Sequence, residues 1–295
     1  MLYDAIVVGG SYAGMAAALQ LLRARRKVLI VDAGQRRNRF AAHSHGFLGQ
    51  DGTDPAVIAR QAREQLEAYP TLRWIDGMAV DARTSGDGIS VTLAGGETID
   101  GKRLLLALGV SDTLPDVPGL QERWGRHVFH CPYCHGYELG GSPVGVLATG
   151  PISMHQALML PEWGATTFFL NGAFAPDKDQ RALLAARNVT VEEALVAGIH
   201  GAADVELEDG RVIELAGIFT ATKTRPASPL ADKLGCEQDE GMLGPVIRID
   251  GMKRTSVPNV FACGDVASSM HSVSLAVGDG AMAGAGIHRS LMFPE

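Results

Sequence analysis

The sequence predicts an α/β protein of two three-layer, dinucleotide-binding-type domains, and three observations predict it. The chain has 295 residues, enough for about two domains at roughly 100–200 residues each. Residues 4–32 run strand, glycine-rich turn, helix, strand ending in an acid. The same order of parts returns after residue 143.

The opening unit is the more complete. Asp4-Ala5-Ile6-Val7-Val8 is an apolar run of the kind that forms a buried parallel strand. Gly9-Gly10-Ser11-Tyr12-Ala13-Gly14 follows, then a helix from Met15 to Leu22 and a second strand, Lys27 to Asp32. Such a unit holds a dinucleotide: pyrophosphate meets the helix N-terminus and the acid bonds a ribose hydroxyl. The frame is Gly9-x-Ser11-x-x-Gly14, with a small serine in place of the middle glycine. Asp32, 18 residues beyond Gly14, supplies the context a lone glycine fingerprint lacks. The run Arg36, Arg37, Asn38, Arg39 admits two readings, a neutraliser of phosphate or a solvated loop. A helix over 55–68, a hairpin turning at 94–97 and a buried strand over 103–109 lead to a boundary at Pro115 and Pro118.

The second unit repeats these parts in eroded form. Val144 to Ala148 is its first strand, Thr149 to Ser153 its turn, Met154 to Leu160 its helix and Thr166 to Leu170 its second strand. A hairpin at Glu208-Asp209-Gly210-Arg211 and the strand Gly217 to Ala221 follow, ending at Pro226. The glycine frame is reduced to Ala148-x-Gly150-x-x-Ser153, and Leu170-Asn171-Gly172-Ala173 offers neither an acid nor an arginine cluster. The unit is expected to keep the fold and to bind NADP(H) poorly or not at all. Beyond it, a strand over 246–250 and the run Pro258-Asn259-Val260-Phe261-Ala262-Cys263-Gly264-Asp265 place a carboxylate at a strand's end. An Ala- and Gly-rich helix spans 274–287.

Chemistry centres on His130-Cys131-Pro132-Tyr133-Cys134-His135-Gly136-Tyr137-Glu138. Two thiols three positions apart close a tight disulfide, attack a partner disulfide and resolve the mixed intermediate. His135 is the candidate general base and acid, titrating near neutrality, or else it caps a turn; His130 is a weaker candidate. A structural zinc bound by His130, Cys131, Cys134 and His135 is disfavoured, since adjacent His and Cys rarely wrap one tetrahedral ion; no metal site is expected. Cys263 reads as a packed thiol and Cys236 as a loop cysteine. Four cysteines are too few for a disulfide scaffold. A net charge of −7 gives no basic field for nucleic acid. No apolar run reaches the ~20 residues of a membrane span. Met1-Leu2-Tyr3-Asp4 enters a strand pattern without a leader, so a cytoplasmic location is expected.

The Gly9–Gly14 turn, the central CxxC and the Pro258–Asp265 run together resemble the pyridine nucleotide–disulfide oxidoreductases of the low-molecular-weight thioredoxin reductase type, over essentially the whole chain. The resemblance implies two Rossmann-like domains. One binds FAD, is discontinuous over 1–115 and 246–295, and uses Gly9, Ser11, Gly14, Asp32, Gly264 and Asp265. The other, 116–245, is NAD(P)-binding-like and carries the CxxC. It further implies that Asp265 meets the flavin ribityl chain, that Cys134 faces the flavin while Cys131 exchanges with substrate, and that the enzyme is a homodimer. Two departures stand out. His135 replaces the aspartate usual after the second cysteine, and the second glycine frame is lost. Cys-Pro-Tyr-Cys-His-Gly-Tyr-Glu is more similar to the dithiol oxidase branch that forms disulfides in small natural products such as gliotoxin and holomycin, with O2 as acceptor. The partner is then a small-molecule dithiol or disulfide. The alternatives are a reductase of thioredoxin-like proteins using NAD(P)H or another donor, and a flavoprotein redox sensor that does not turn over.

Overall fold

The computed structural model describes residues 2–86 and 88–293. Met1, Asp87, Pro294 and Glu295, inside the ranges assigned from sequence, lie outside the described residues. Two compact units form: residues 1–39, 47–111 and 224–295 make the first, and 40–46 with 112–223 the second.

In the first unit five parallel strands line up in the order Val260–Ala262, Leu104–Leu106, Ala5–Val8, Val28–Asp32, Leu72–Asp76. The last strand of the chain thus pairs with one about 150 residues earlier, which makes this unit discontinuous. Its strands other than the edge strand Leu72–Asp76 are apolar on both faces because both faces are covered. Ala5 and Val7 point toward the helices Tyr12–Arg23, Pro55–Glu67 and Val273–Met292. Ile6 and Val8 point the other way, toward the antiparallel strands Ala79–Ser85, Gly88–Leu93 and Thr98–Gly101. The alternation that a continuous apolar run hides in sequence is therefore present in space.

The second unit repeats the plan. Its parallel strands run in the order Thr190–Glu192, Thr166–Phe169, Val144–Leu147, Gly217–Thr220, Val128–Phe129. Helices Ser153–Met159 and Lys178–Ala186 cover Val144, Val146 and Phe168 on one face. The antiparallel strands Val196–His200, Asp204–Leu207 and Val212–Ile213 cover Leu147 and Phe169 on the other. Both halves of the expected two-domain α/β fold are present.

The boundaries differ from the sequence-derived ones in three places, and the first is residues 112–115, which join the second unit. Residues 224–245 join the first unit, because Leu230, Ala231 and Cys236 enter its core beside Val91 and Ile247. Gln238–Glu240 also pairs antiparallel with Pro245–Ile247. Cys236 is a loop cysteine, as expected, but one whose side chain is buried in this core. Residues 40–46 join the second unit. Among the described residues no helix is long and apolar enough to cross a membrane.

Helix Tyr12–Arg23 packs closely on helix Val273–Met292. A Cβ on Gly280 would lie 2.0 Å from the Ala13 carbonyl oxygen, and one on Gly284 2.5 Å from that of Ala17. Gly278, on the same helix, has nothing within 4 Å of such a Cβ. Alanine in a helix is worth about 1 kcal/mol over glycine. Gly278→Ala should therefore raise the midpoint of thermal unfolding. Gly284→Ala should lower it, since overpacking costs roughly 1–3 kcal/mol and outweighs the propensity gain. Calorimetry on both variants checks the pair; equal shifts would contradict the packing.

Candidate active site

The first phosphate-type turn is built by missing side chains. Gly9 has φ +109°, and a Cβ there would sit 2.1 Å from the Ala107 carbonyl oxygen. A Cβ on Gly14 would sit 1.8 Å from the Gly9 carbonyl oxygen. Gly10, outside the sequence frame, is equally constrained, with the Trp74 ring 2.6 Å from a notional Cβ. Ser11 is the N-cap of helix Tyr12–Arg23 but makes no side-chain capping bond, so the first-turn N–H groups are left for a ligand. Asp32, at its strand's end, accepts the Gly10 N–H at 3.0 Å. Nearby, Asn38 donates from Nδ2 to the Tyr12 hydroxyl at 3.1 Å, and that hydroxyl donates to the Pro55 carbonyl. Asn38 Oδ1 and Arg36 Nε are buried with no hydrogen-bond partner among the described residues, a condition that calls for a polar ligand.

At the same end of this sheet, on its edge strand, Gly264 (φ +76°) and Asp265 follow Val260–Ala262. Gly264 donates its N–H to Asp279 Oδ2 at 2.8 Å, and Lys253 pairs with Asp279. A cavity of about 290 Å³ opens here, lined by Gly264, Asp265, Ser268, Met270, Leu275 and Asp279 among others.

In the second unit Cys131 and Cys134 form a disulfide with Cα atoms 5.3 Å apart. Cys131 is the N-cap of a single turn, Pro132–His135, with Pro132 at its first position, where a missing N–H costs nothing. The turn is closed by Cys134 N–H to the Cys131 carbonyl at 3.2 Å and Gly136 N–H to the Pro132 carbonyl at 2.7 Å. Tyr133 stands out to solvent, edge-on to Trp163 at 5.3 Å, and Tyr137 is exposed as well. The other two cysteines are buried thiols: burial raises the pKa of both, and Asp279 raises that of Cys263 further. They stay protonated and unreactive.

The second phosphate-type turn is satisfied from within. Ser153 is fully buried, and its Oγ accepts the Thr149 N–H at 2.9 Å. Thr149 Oγ1 donates to the Ala221 carbonyl at 2.7 Å. Asn171, where a ribose-binding acid would stand, spends Oδ1 on the Val196 N–H at 2.9 Å. Of the two basic residues further along that the sequence offers as substitute phosphate ligands, Arg181 pairs with Glu193 at 2.9 Å and Lys178 is exposed at the first position of the helix Lys178–Ala186.

Residues 3–280 match the pyridine nucleotide-disulphide oxidoreductase family. The chain belongs to that family. It is 31% identical to the thioredoxin reductase tcpT of Claviceps purpurea (strain 20.1), over 95% of this chain and 92% of that one. To the thioredoxin reductase sirT of Leptosphaeria maculans it is 32% identical, over 97% and 94%. Among solved structures it is similar to an oxidoreductase from Agrobacterium tumefaciens, with 57% identity, all of both chains covered and a TM-score of 0.98. It is also similar to HlmI, with 35% identity, 98% and 92% covered and a TM-score of 0.91.

This member of the pyridine nucleotide-disulphide oxidoreductase family is a thioredoxin reductase-like enzyme acting on disulfides and dithiols. Membership implies a flavin, FAD, and the first unit's residues fit one: a glycine cradle, an uncapped helix start, Asp32 and orphaned polar atoms. Gly9, Ser11, Gly14 and Asp32 are brought together there, and Gly264 and Asp265 border the cavity of the same unit. Cys131, Cys134 and His135 share one turn of the other unit. Among the described residues no group of three or more His, Cys, Asp or Glu side chains is placed to hold a metal.

His135 departs from the near-neutral titration expected of it. Its ring stacks on Phe129 at 4.4 Å, and burial, with a smaller push from His45, lowers its pKa to about 4. Sequence reading missed His45. It lies some 90 residues before the CxxC, yet its Nδ1 is 3.3 Å from Glu138 Oε1. The spacing His43-x-His45 was the only signal available.

A histidine that binds its proton at about pH 4 when folded and near pH 6.5 when unfolded opposes folding in acid. Between those values the unfolded chain holds the extra proton, so stability rises with pH across this window and is unaffected by His135 above it. His135→Gln should therefore lose less stability than the parent protein between pH 7 and pH 4.5, by up to about 1.4 kcal/mol per pH unit. Urea unfolding at the two pH values measures it; parallel losses would contradict the burial of a neutral imidazole.

Proposed function

We propose that this chain is an FAD-dependent dithiol oxidase that converts a small-molecule dithiol to its disulfide and passes the electrons to O2. The observation that carries this reading is the Ser153–Thr149 bond. A nicotinamide dinucleotide needs the N–H groups of that turn for its pyrophosphate, and here a buried side chain already takes one. Each missing charged hydrogen bond forfeits roughly 1.5–3 kcal/mol, about ten- to a hundred-fold in affinity. With Asn171 and Arg181 also engaged elsewhere, NADP(H) becomes a poor donor. The identities with HlmI and with sirT are compatible with either direction of electron flow.

One substrate thiolate attacks the Cys131 sulfur, and the Cys131–Cys134 bond breaks with Cys134 leaving as the thiolate. The second substrate thiol then attacks the substrate sulfur of the mixed disulfide, which frees Cys131 and releases the cyclic product. Two electrons now reside on the cysteine pair, with one of the dithiol's two protons on Cys131, the other on His135, and Cys134 as the thiolate. The neutral imidazole of His135 takes a proton during these steps: the burial that lowers its pKa to about 4 in the disulfide state is opposed once a negative sulfur forms at the adjacent Cys134. Bound FAD supplies the two-electron acceptor that returns the pair to the disulfide, and O2 is the final oxidant, yielding H2O2. When FAD is bound, Gly9, Gly10, Ser11 and Gly14 would hold its pyrophosphate and Asp32 a ribose. By family resemblance the enzyme works as a homodimer.

A second reading rests on the relatives' printed names: tcpT and sirT are called thioredoxin reductases, which would make the donor NADPH and the acceptor a thioredoxin-like protein. Anaerobic stopped-flow mixing separates the two. Dithiothreitol should bleach the flavin at least about a hundred-fold faster than equimolar NADPH, the loss expected from one or two missing charged bonds. Fast, saturable bleaching by micromolar NADPH would establish the reductase instead. Bleaching by dithiol without aerobic turnover would leave only a redox sensor.

The thiol roles are separable. Cys131→Ser should abolish dithiol oxidation at the first attack. Cys134→Ser, offered the oxidised disulfide product, should trap it on Cys131 by thiolate attack that opens its S–S bond, detected as an added mass that a reductant removes. Full activity in either variant would mean that the pair is structural.

A further inference from the structure

The run Arg36–Arg39 has a use that neither sequence reading gave it. Arg39 turns back on its own loop, donating to the Arg36 carbonyl at 2.7 Å. Arg37 crosses to the far end of the chain. Its Nη1 is 3.4 Å from Asp265 Oδ2 and 2.7 Å from His271 Nδ1. Both side chains of the Arg37–Asp265 pair are largely shielded, 16% and 20% exposed, so the attraction is stronger than at an open surface. His271 Nε2 lies 2.9 Å from the Ser268 carbonyl. A carbonyl only accepts, so Nε2 carries the proton, and Nδ1 is left as the acceptor that faces Arg37. The three side chains come from the first and last segments of the discontinuous unit. They converge where Asp265 borders the cavity.

Asp265 is thus fixed twice. Its backbone is set by Gly264, whose N–H is held by Asp279 and whose notional Cβ would lie 2.8 Å from Ala13 Cβ. Its carboxylate is set by Arg37, itself held by His271. The contact is made to Oδ2, which leaves Oδ1 on the other edge of the carboxylate. A carboxylate that must accept from a ligand hydroxyl gains by being held in one rotamer before the ligand arrives, because the ordering cost is then met in folding.

We propose that Arg37 and His271 are positioning residues of the FAD site, a clamp that presets the Asp265 carboxylate for the cofactor. The proposal rests on the flavin reading of the first unit. Arg37 acts through Asp265 and not by neutralising pyrophosphate, and that distinction is measurable.

The experiment follows FAD release from purified holoenzyme, read as the rise of free-flavin fluorescence after dilution. Arg37→Met should release FAD about ten-fold faster or more, the scale of a lost charge-assisted bond, and Asp265→Asn should do the same. The double variant should release it no faster than the worse single, because both remove one arrangement. His271→Leu should accelerate release, and His271→Asn, whose Oδ1 restores an acceptor, should bring it back toward the parent rate. Release from Arg37→Met within two-fold of the parent protein would overturn the clamp. So would losses that multiply in the double variant, the signature of Arg37 acting on phosphate independently. If Arg37→Met does not fold, the His271 pair decides: equal rates for Leu and Asn overturn the proposal. A parent protein that binds no FAD would instead overturn the flavin reading itself.

Discussion

Everything in the first unit depends on one close approach. The carbonyl oxygen of Ala107 stands where a side chain on Gly9 would begin, and the Gly9 carbonyl stands where one on Gly14 would begin. Because these positions carry no Cβ, the helix Tyr12–Arg23 starts against the strand ends and its unpaired N–H groups face outward together. The same helix meets Val273–Met292 at Gly280 and Gly284. Its position is therefore fixed from two sides by absent side chains.

The second unit shows what happens when this constraint relaxes. Four of the five parallel strands keep the corresponding order, with an antiparallel meander on the same face, while the fifth, Val128–Phe129, comes before the others in sequence where Val260–Ala262 comes after them. The chemistry of the turn is not kept. Ser153 at the last position of the frame is accommodated by folding inward, where it bonds Thr149. A serine in this place is both a steric change and a competitor for the phosphate's donors. Fold and ligand binding have come apart at one residue, as expected when function resides in a site carried by a scaffold.

Most of the architecture was legible in the sequence because it rests on local pattern. The apolar runs at 5–8, 28–32, 144–147 and 217–220 are all strands, and the helices at 12–23 and 273–292 follow their glycine and alanine content. What was not legible rests on long-range contact. Residues 224–245 carry no signal that Leu230 and Cys236 enter the first core. Gly10 escaped the fingerprint because its partner, Trp74, lies 64 residues away. The redox pair and its histidine were visible from spacing alone, but the acidity of His135 was not. That comes from Phe129 beneath the ring and His45 from another part of the chain.

The pairing of Val260–Ala262 with Leu104–Leu106 has a bearing on synthesis. Emerging from the ribosome, the middle unit has all its strands by residue 220, whereas the first unit's sheet lacks its edge strand until the final forty residues appear. Domains fold as units when their segments are available, and contacts this distant in sequence form slowly. The redox half of the molecule can therefore be in place while the half that resembles a flavin site is still an unfinished sheet. Cofactor capture becomes the closing event of assembly, and a chain interrupted before Asp265 would carry a formed disulfide motif with no completed flavin site to serve it.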